Sequence, residues 1–240
     1  IFYVKDYPNI IPVLFLTLGF GLIGFLDDYI KVVLKRSMGL RAWQKMLGQL
    51  IVTGVFAYYL CHYTDVSLAM KIPFMSGQYI DFGIFNIPIL FFIVIGTVNG
   101  TNFTDGLDGL ASSVTVIIAT FFTVIAIGTK SGIEPITGAV VGALLGFLLF
   151  NVYPASVFMG DTGSLFLGGV VCALAFALDI PLILVLVGVI YIVETVSVIM
   201  QVTYFKLTHG KRIFKMTPIH HHFEMCGWKE VKICYVFSGV

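Results

Sequence analysis

The sequence predicts an all-α polytopic membrane protein, and three observations support this fold class. Hydrophobic residues make up 58% of the chain and charged residues only 11%, whereas a soluble domain is about a quarter charged. Apolar runs recur between short polar islands, and several approach the ~20 residues that cross a bilayer. Aromatic residues reach 15%, which suits helices that meet lipid and headgroups. We therefore expect insertion into a lipid bilayer and no nucleic-acid partner.

The apolar segments organise the chain as one integral-membrane domain over residues 1–240. About eight segments are expected, at 10–26, 46–63, 88–98, 107–127, 136–153, 164–178, 182–207 and from 231 onwards. The last segment is short and the first residue is Ile rather than Met, so the sequence is interpreted as a fragment truncated at both ends. Residues 68–86 are polar and turn-rich, which predicts a small external β-hairpin.

The basic residues predict the orientation of the segments. If the loop after the first segment is cytoplasmic, eleven Lys and Arg side chains lie inside and three outside, as the positive-inside rule requires. The same count places four polar islands on the cytoplasmic side: Asp27–Asp28, residues 99–109, Asp161 and His220–His222. Because these islands did not enter the count, their agreement is independent support for one shared site.

Asp27 and Asp28 are the first candidates for catalysis. They end a helix that runs inward, where the helix dipole disfavours anions and adjacent carboxylates repel each other. A simpler alternative is a helix-end salt bridge, since Lys31 follows Asp27 by four residues. Acids within spanning segments are costly and by default functional, so the functional interpretation is favoured.

Asp105, Asp108 and Asp161 stand at the starts of later segments. The spacing of the first two would put both carboxylates on one helical face, and any of the three could instead cap a helix. The glycine-rich surroundings of Asp105 and Asp108 are compatible with a nucleotide cradle. So many converging carboxylates would repel unless a cation held them, and oxygen ligands favour Mg²⁺. A divalent metal at a membrane surface indicates phosphoryl transfer.

The three consecutive histidines, the glycines of residues 19–24 and Glu194 complete the candidates. His220–His222 cannot all face one ion on a helix, so we expect them to contact the phosphates or sugar of an anionic substrate. The alternative is an amphipathic loop at the headgroups. The glycines of residues 19–24 match a dinucleotide motif but lie within a spanning helix, where close helix packing explains them. The role of Glu194, inside a later segment, is left open.

The polar islands carry long motifs in a defined order. They read Gly-Phe-Leu-Asp27-Asp28-Tyr, Asn99-Gly-Thr-Asn-Phe-Thr-Asp-Gly-Leu-Asp-Gly-Leu-Ala, Phe158-Met-Gly-Asp161-Thr-Gly-Ser and Pro218-Ile-His-His-His-Phe-Glu. Together they resemble the polyprenyl-phosphate N-acetylhexosamine-1-phosphate transferase family, from about residue 20 to residue 231. The histidine motif, with Lys-Arg-Ile-Phe-Lys-Met before it, is similar to the bacterial cell-wall branch of that family.

The resemblance implies an activity and a setting. The enzyme would transfer phospho-MurNAc-pentapeptide from UDP-MurNAc-pentapeptide to undecaprenyl phosphate with Mg²⁺, giving lipid I and UMP in peptidoglycan synthesis. It implies ten spanning helices in the intact fold, a homodimer, and an active site that faces the cytoplasm from the bacterial inner membrane. Such enzymes are targets of nucleoside antibiotics.

The resemblance also implies roles for individual residues. Asp161 would bind Mg²⁺, and Asp27, with Asp28 beside it, would deprotonate the lipid phosphate. The residues expected to contact the substrates are Lys45, Asn102, Asp105, Asp108, Phe158, Gln201, His220, His221 and His222. Direct attack by the lipid phosphate and a two-step route through an aspartyl-phosphate both fit, and we favour direct attack.

Two other functions stay open at this stage. One is a related transferase that uses the GlcNAc-1-phosphate donor, which the Ile-His-His-His-Phe-Glu stretch disfavours. The other, from a different class, is an ion-coupled secondary transporter. Transporter sites lie near the bilayer midplane at broken helices, whereas these acids cluster at one end of the segments.

Overall fold

A computed structural model describes residue 7 and residues 10–63, 68–75 and 77–240. The described chain is mostly helical, with one pair of short strands. The elements in order are α1 (Ile10–Val32), α2 (Ala42–Tyr63), β1 (Met70–Lys71), β2 (Tyr79–Ile80), α3 (Asn86–Thr104), α4 (Leu110–Thr129), α5 (Glu134–Asn151), α6 (Gly160–Ala177), α7 (Leu184–Val187), α8 (Val189–Leu207), α9 (Ile219–Met225) and α10 (Glu230–Ser238).

Six helical stretches in the described ranges are long and apolar enough to cross a membrane. These stretches are Ile10–Val32, Gly83–Thr104, Leu110–Thr129, Glu134–Asn151, Gly160–Ala177 and Val189–Leu207. Helix α2 has 22 residues, but polar residues such as Gln49 and His62 lower its hydropathy. Helix α10 has only nine residues. Each of the eight predicted apolar segments contributes to a helix, and the all-α polytopic fold is confirmed.

Helix α6 lies at the centre of the bundle and packs against α1 and α3. Almost every residue from Ser164 to Phe176 in α6 is buried. At Gly24 of α1, an added Cβ would lie only 2.2 Å from the backbone oxygen of Asp161, so no larger side chain fits between the two helices. Close packing therefore explains the glycine pattern of α1, as predicted, and it brings the end of α1 beside the start of α6.

The predicted hairpin is present at the other end of the bundle. Strands β1 and β2 are antiparallel, with Met70 opposite Ile80. Ser76, expected in the turn, lies outside the described residues. The Tyr79 hydroxyl donates a hydrogen bond of 2.9 Å to Asp179 Oδ2, just beyond the end of α6. The hairpin thus packs at the end of α6 opposite Asp161.

Candidate functional site

Three aspartates from two helices meet where α1 ends and α6 begins. Asp27, Asp28 and Asp161 each offer one carboxylate oxygen, and these oxygens lie within 4.8 Å of one another. The close approach at Gly24 makes this possible, because Asp27 and Asp28 follow one turn later on α1. Three hard oxygen donors at this spacing form a donor set of the kind that binds Mg²⁺. We call these residues the acid cluster.

Asp161 is surrounded by cations and an amide. Its Oδ2 lies 2.5 Å from Lys31 Nζ and 3.5 Å from Lys45 Nζ. Its Oδ1 accepts a hydrogen bond of 2.6 Å from the Asn102 side-chain amide. Asp161 is the second residue of α6, the N-cap position belongs to Met159, and the first-turn amides of Asp161 and Thr162 are bound by Asp28 rather than by Asp161. The capping interpretation of Asp161 is therefore wrong, since its carboxylate points across the bundle toward α1, α2 and α3.

The two aspartates of α1 have different surroundings. Asp27 is 2% exposed, its Oδ1 accepts a hydrogen bond from the Leu40 amide, and its Oδ2 lies 2.5 Å from Lys31 Nζ. The alternative salt bridge is thus present, within the acid cluster itself. Asp28 Oδ2 accepts hydrogen bonds from the amide and the hydroxyl of Thr162. Asp28 thereby satisfies free backbone donors in the first turn of α6, where an anion is favourable.

Asp105 and Asp108 occupy a turn rather than a helix. Helix α3 ends at Thr104 and α4 begins at Leu110, so they are separated by residues 105–109, which are all turn or bend positions and include two glycines. The predicted shared helical face is therefore wrong. The N-cap position of α4 is Gly109, and the Asp108 carboxylate binds the Ala155 amide instead of the helix, so the capping interpretation of these aspartates is also wrong. We call residues 105–109 the acidic turn.

The two carboxylates of the acidic turn face different groups. In the part of the chain that the structure describes, the Asp105 carboxylate has no hydrogen-bond or ion-pair partner. Burial and the charges of Asp161 and Asp28 raise the pKa of Asp105 to about 7. Asp108 Oδ2 instead accepts a hydrogen bond of 2.8 Å from the Ala155 amide. The charges of the acid cluster thus act on the Asp105 carboxylate. Asp108 instead binds the segment that leads to α6.

The remaining predicted residues divide into two groups. Lys45 Nζ donates a hydrogen bond of 3.3 Å to Asn102 Oδ1, so both belong to the surroundings of Asp161. The Phe158 ring is 73% exposed and lies three residues before Asp161. Gln201 Oε1 accepts hydrogen bonds from the amides of Ile213 and Phe214. Gln201 therefore fixes the loop between α8 and α9.

The three histidines have different environments. His220 is 0% exposed, and its Nδ1 lies 3.0 Å from Glu194 Oε1. His221 Nδ1 lies 2.5 Å from Glu224 Oε2 at the surface. His222 Nδ1 accepts a hydrogen bond of 3.1 Å from the Lys215 amide. Only His221 and His222 are therefore partly open to solvent, while His220 is enclosed beside the acidic turn.

The residue pattern suggested for Lys31 only a salt bridge with Asp27 at the end of α1. Lys31 contacts both Asp27 and Asp161, which are 134 positions apart. The i,i+4 spacing to Asp27 is visible along the chain, but the contact with Asp161 depends on how α1 and α6 pack. Glu230 was also missed: its Oε1 accepts a hydrogen bond of 2.7 Å from the Asp108 amide, and nothing in its local sequence indicates this.

The carboxylates converge at one end of apolar helices that are long enough to cross a membrane. The protein is therefore a polytopic membrane protein with an acidic site at one end of its bundle. Comparison with known proteins adds the family. The family described as "Glycosyl transferase family 4" matches residues 10–179. The chain belongs to this family and, through the relatives that follow, to its phospho-N-acetylmuramoyl-pentapeptide-transferase branch.

Among the relatives that carry the name phospho-N-acetylmuramoyl-pentapeptide-transferase are three from different bacteria. The protein of Acetivibrio thermocellus is 54% identical, over 98% of this chain and 72% of its own length. That of Clostridium botulinum is 52% identical, over 94% of this chain and 69% of its own. That of Clostridium perfringens is 54% identical, over 94% and 70%. The resemblance noted in the motifs is thereby confirmed.

Proposed function

We propose that this protein transfers phospho-MurNAc-pentapeptide from UDP-MurNAc-pentapeptide to undecaprenyl phosphate, giving lipid I and UMP in peptidoglycan synthesis. The observation that carries the proposal is the convergence of Asp27, Asp28 and Asp161 at one end of membrane-length helices, in a chain whose relatives bear the name of this transferase. The excess of basic residues in the loops at the same end supports a site on the cytoplasmic face of the bacterial inner membrane. We carry over the homodimer from the family resemblance.

We propose Mg²⁺ as the cofactor, with Asp161 as its principal ligand. The donor set fits, since three carboxylates each present an oxygen within 4.8 Å of the others and hard oxygen ligands suit this ion. When bound, the ion neutralises phosphate charge that would otherwise resist the approach of a second anion. Asn102 is bound to Asp161 Oδ1, so its amide holds the carboxylate in a defined orientation.

The residues around the acid cluster suit the binding of phosphate and nucleoside. Lys45, 19% exposed at its side chain, is positioned to contact the diphosphate of the donor, and Lys31 supplies a second ammonium group. The exposed ring of Phe158 is proposed to stack on uracil. The acidic turn with Asp105 and Asp108 would line the nucleoside pocket. His221 and His222, with the loop that Gln201 holds, would contact the sugar-nucleotide.

Asp27 is proposed to accept the proton of the lipid phosphate, with Asp28 beside it. An oxygen of undecaprenyl phosphate then attacks the phosphorus that bears the sugar, a new P–O bond forms, and the P–O bond to UMP breaks. The alternative route would make an aspartate the nucleophile and form an aspartyl-phosphate. In that route Asp161 or Asp27 would be the nucleophile, and direct attack is favoured because two substrates bound on one face of the acid cluster need no covalent relay.

An apolar groove beside the acid cluster is the proposed site for the polyprenyl chain. It has a volume of about 550 Å³ and is formed by α1, α5 and α6. Its lining runs from Phe158 and Thr162, next to Asp28 and Asp161, to Val13 and Val170 farther along α1 and α6. A lipid whose chain lies in this groove would present its phosphate at the carboxylates.

Two comparisons test the proposal against its alternatives. Purified protein is incubated with labelled UDP-MurNAc-pentapeptide or labelled UDP-GlcNAc, each with undecaprenyl phosphate, and lipid-linked label is measured. Product from the first donor alone supports the proposal, whereas product from UDP-GlcNAc alone would assign the related transferase. Absence of product with both, together with ion-coupled solute uptake in proteoliposomes, would favour the transporter. The position of the acids at the end of the helices, rather than at mid-membrane, argues against that outcome.

A further inference from the structure

Four polar side chains lie buried along one face of α8. Tyr191, Glu194, Ser197 and Gln201 follow one another at spacings that place them in one row on a helix. Their exposed fractions are 1%, 0%, 2% and 8%, so the row faces the protein interior. An ionisable side chain within a spanning helix is costly unless it has a partner. The position of Glu194 in this row therefore requires one.

The row connects α8 to other parts of the protein. At one end, the Tyr191 hydroxyl lies 2.6 Å from the Thr115 hydroxyl of α4. At the other end, Gln201 holds the loop after α8 through two backbone amides. Between them, Glu194 Oε1 lies 3.0 Å from His220 Nδ1, with both side chains fully buried. The partner of Glu194 is thus the first histidine of the histidine motif, on α9.

His220 extends this connection to the acidic turn. A Cβ added at Gly106 would lie 2.2 Å from His220 Nε2, so only glycine allows the turn to approach the ring. In the described part of the chain, this Nε2 is buried without a hydrogen-bond partner. The ring is therefore held by Glu194 at one nitrogen, while its other edge supports the backbone between Asp105 and Asp108.

We propose that Glu194 is a positioning residue that sets the acidic turn and the histidine motif through His220. The pair of Glu194 and His220 would fix the position of the Gly106 backbone. It would thereby fix the position of Asp105 relative to the acid cluster. It would also anchor α9, from which His221 and His222 face the substrate. The kinetic effects expected of this pair rest on the proposed transferase function, whereas the structural coupling between α8 and the acidic turn does not.

The first test is a kinetic comparison of two variants. Glu194→Leu removes the acceptor for His220, and we expect the KM for the UDP donor to rise about tenfold or more while the KM for undecaprenyl phosphate stays within about twofold. Glu194→Gln keeps an acceptor oxygen for Nδ1, so its donor KM should stay within about threefold of the wild type. A merely structural loss would lower the amount of active protein without moving the donor KM. Glu134→Leu, which alters an acid at the opposite end of the bundle, serves as the matched control.

A double-mutant cycle then asks whether Glu194 acts through His220. If it does, the effects of Glu194→Leu and His220→Phe on kcat/KM are not additive, and the double variant falls no further than the worse single variant. Additive losses would overturn the proposal, because they would mean that the two side chains act separately.

Amide hydrogen exchange provides a readout that does not require activity. Glu194→Leu should speed exchange in residues 105–109 and 219–225 and leave the β1–β2 hairpin unchanged. Unchanged exchange in the acidic turn would overturn the positioning role, whatever the kinetics. If the wild-type protein transfers neither donor, the proposed function fails, and the exchange result alone decides whether Glu194 positions the turn.

Discussion

Lys31 Nζ lies 2.5 Å from Asp161 Oδ2 and so joins two residues that are 130 positions apart. The same ammonium group lies 2.5 Å from Asp27 Oδ2. A chain cation thus stands between two members of the acid cluster, where a divalent ion would also be attracted. We therefore expect Lys31 both to stabilise the converging carboxylates and to compete with a divalent ion for them.

Replacing Lys31 with Met should therefore separate these two effects. With chelator present, we expect the melting temperature to fall by a few degrees, on the order of 1 kcal/mol, because two facing carboxylates lose their shared cation. Added Mg²⁺ should raise the melting temperature of the variant by more than that of the wild type. Lys35→Met, on the exposed loop after α1, is the control. Equal Mg²⁺ responses in variant and wild type would contradict the competition.

Asp161→Asn should abolish turnover and leave the fold intact. Asparagine keeps an oxygen that can accept from Asn102 but loses the charge that binds a metal, so a loss of about a thousandfold or more in kcat is expected. Asp179→Asn provides a matched control at the other end of α6, where Asp179 contacts the hairpin. A near-normal rate for Asp161→Asn in a detergent assay would remove it as the principal ligand.

Asp27→Asn should lower kcat with little change in either KM. The Asn oxygen can still accept the hydrogen bond from the Leu40 amide, so the local fold is retained while the proton acceptor is lost. Steady-state kinetics with both substrates measure this difference. An unchanged kcat would show that Asp27 is not the base.

The raised pKa of Asp105 gives a prediction for stability against pH. Because its pKa in the folded protein is about 7 and the ordinary value is 3.8, ionisation of Asp105 opposes folding. Below pH 3.8 Asp105 is protonated in both the folded and the unfolded protein and carries no such cost, and the cost accumulates as pH rises from about 4 to about 7. In chelator, Asp105→Asn should therefore gain stability over the wild type between about pH 4 and pH 8, by on the order of 2 kcal/mol after allowance for solvent screening.

Thermal unfolding of wild type and Asp105→Asn at the two pH values measures this gain. Asp81→Asn, at the hairpin end, is the control, since hydrogen bonds from Gly83 and Asn86 lower the pKa of Asp81. Between pH 4 and pH 8 Asp81 is ionised in both the folded and the unfolded protein, so the stability difference between that variant and the wild type should stay nearly constant. A constant difference between wild type and Asp105→Asn at both pH values would contradict the account of Asp105.

The apolar groove predicts a selective effect on the lipid substrate. Ala143→Trp places a large ring in the groove, and we expect the KM for undecaprenyl phosphate to rise about tenfold with the donor KM unchanged. Leu145→Trp, on the exposed side of the same helix, should change neither constant. Equal effects of both variants would mean that the groove does not hold the polyprenyl chain.

Much of the architecture could be predicted because hydropathy and charge act along the chain. Apolar runs gave the helices, turn residues gave the hairpin, and the distribution of Lys and Arg grouped the polar islands before any contact was known. The contacts that shape the site arise differently. Lys31 with Asp161, and Glu194 with His220, depend on the close packing of helices distant in sequence, which no local pattern encodes.

The acidic turn shows the limit of spacing arguments. The spacing of three positions from Asp105 to Asp108 indicated one helical face, but Gly106 and Gly109 favour a turn, and the two carboxylates separate. Asp161 likewise looked like a helix cap by position. Its attraction to Lys31, Lys45 and Asn102 instead directs the carboxylate across the bundle.

The measurement that tests the central claim most directly is metal-dependent transfer by the purified protein. Labelled UDP-MurNAc-pentapeptide and undecaprenyl phosphate are supplied with chelator, and Mg²⁺ is then added in excess. We predict no lipid-linked product before the addition and rapid product formation with release of UMP after it, with Asp161→Asn inactive in both conditions. Product formation in chelator at the full rate would contradict the claim that the acid cluster works by holding a divalent ion.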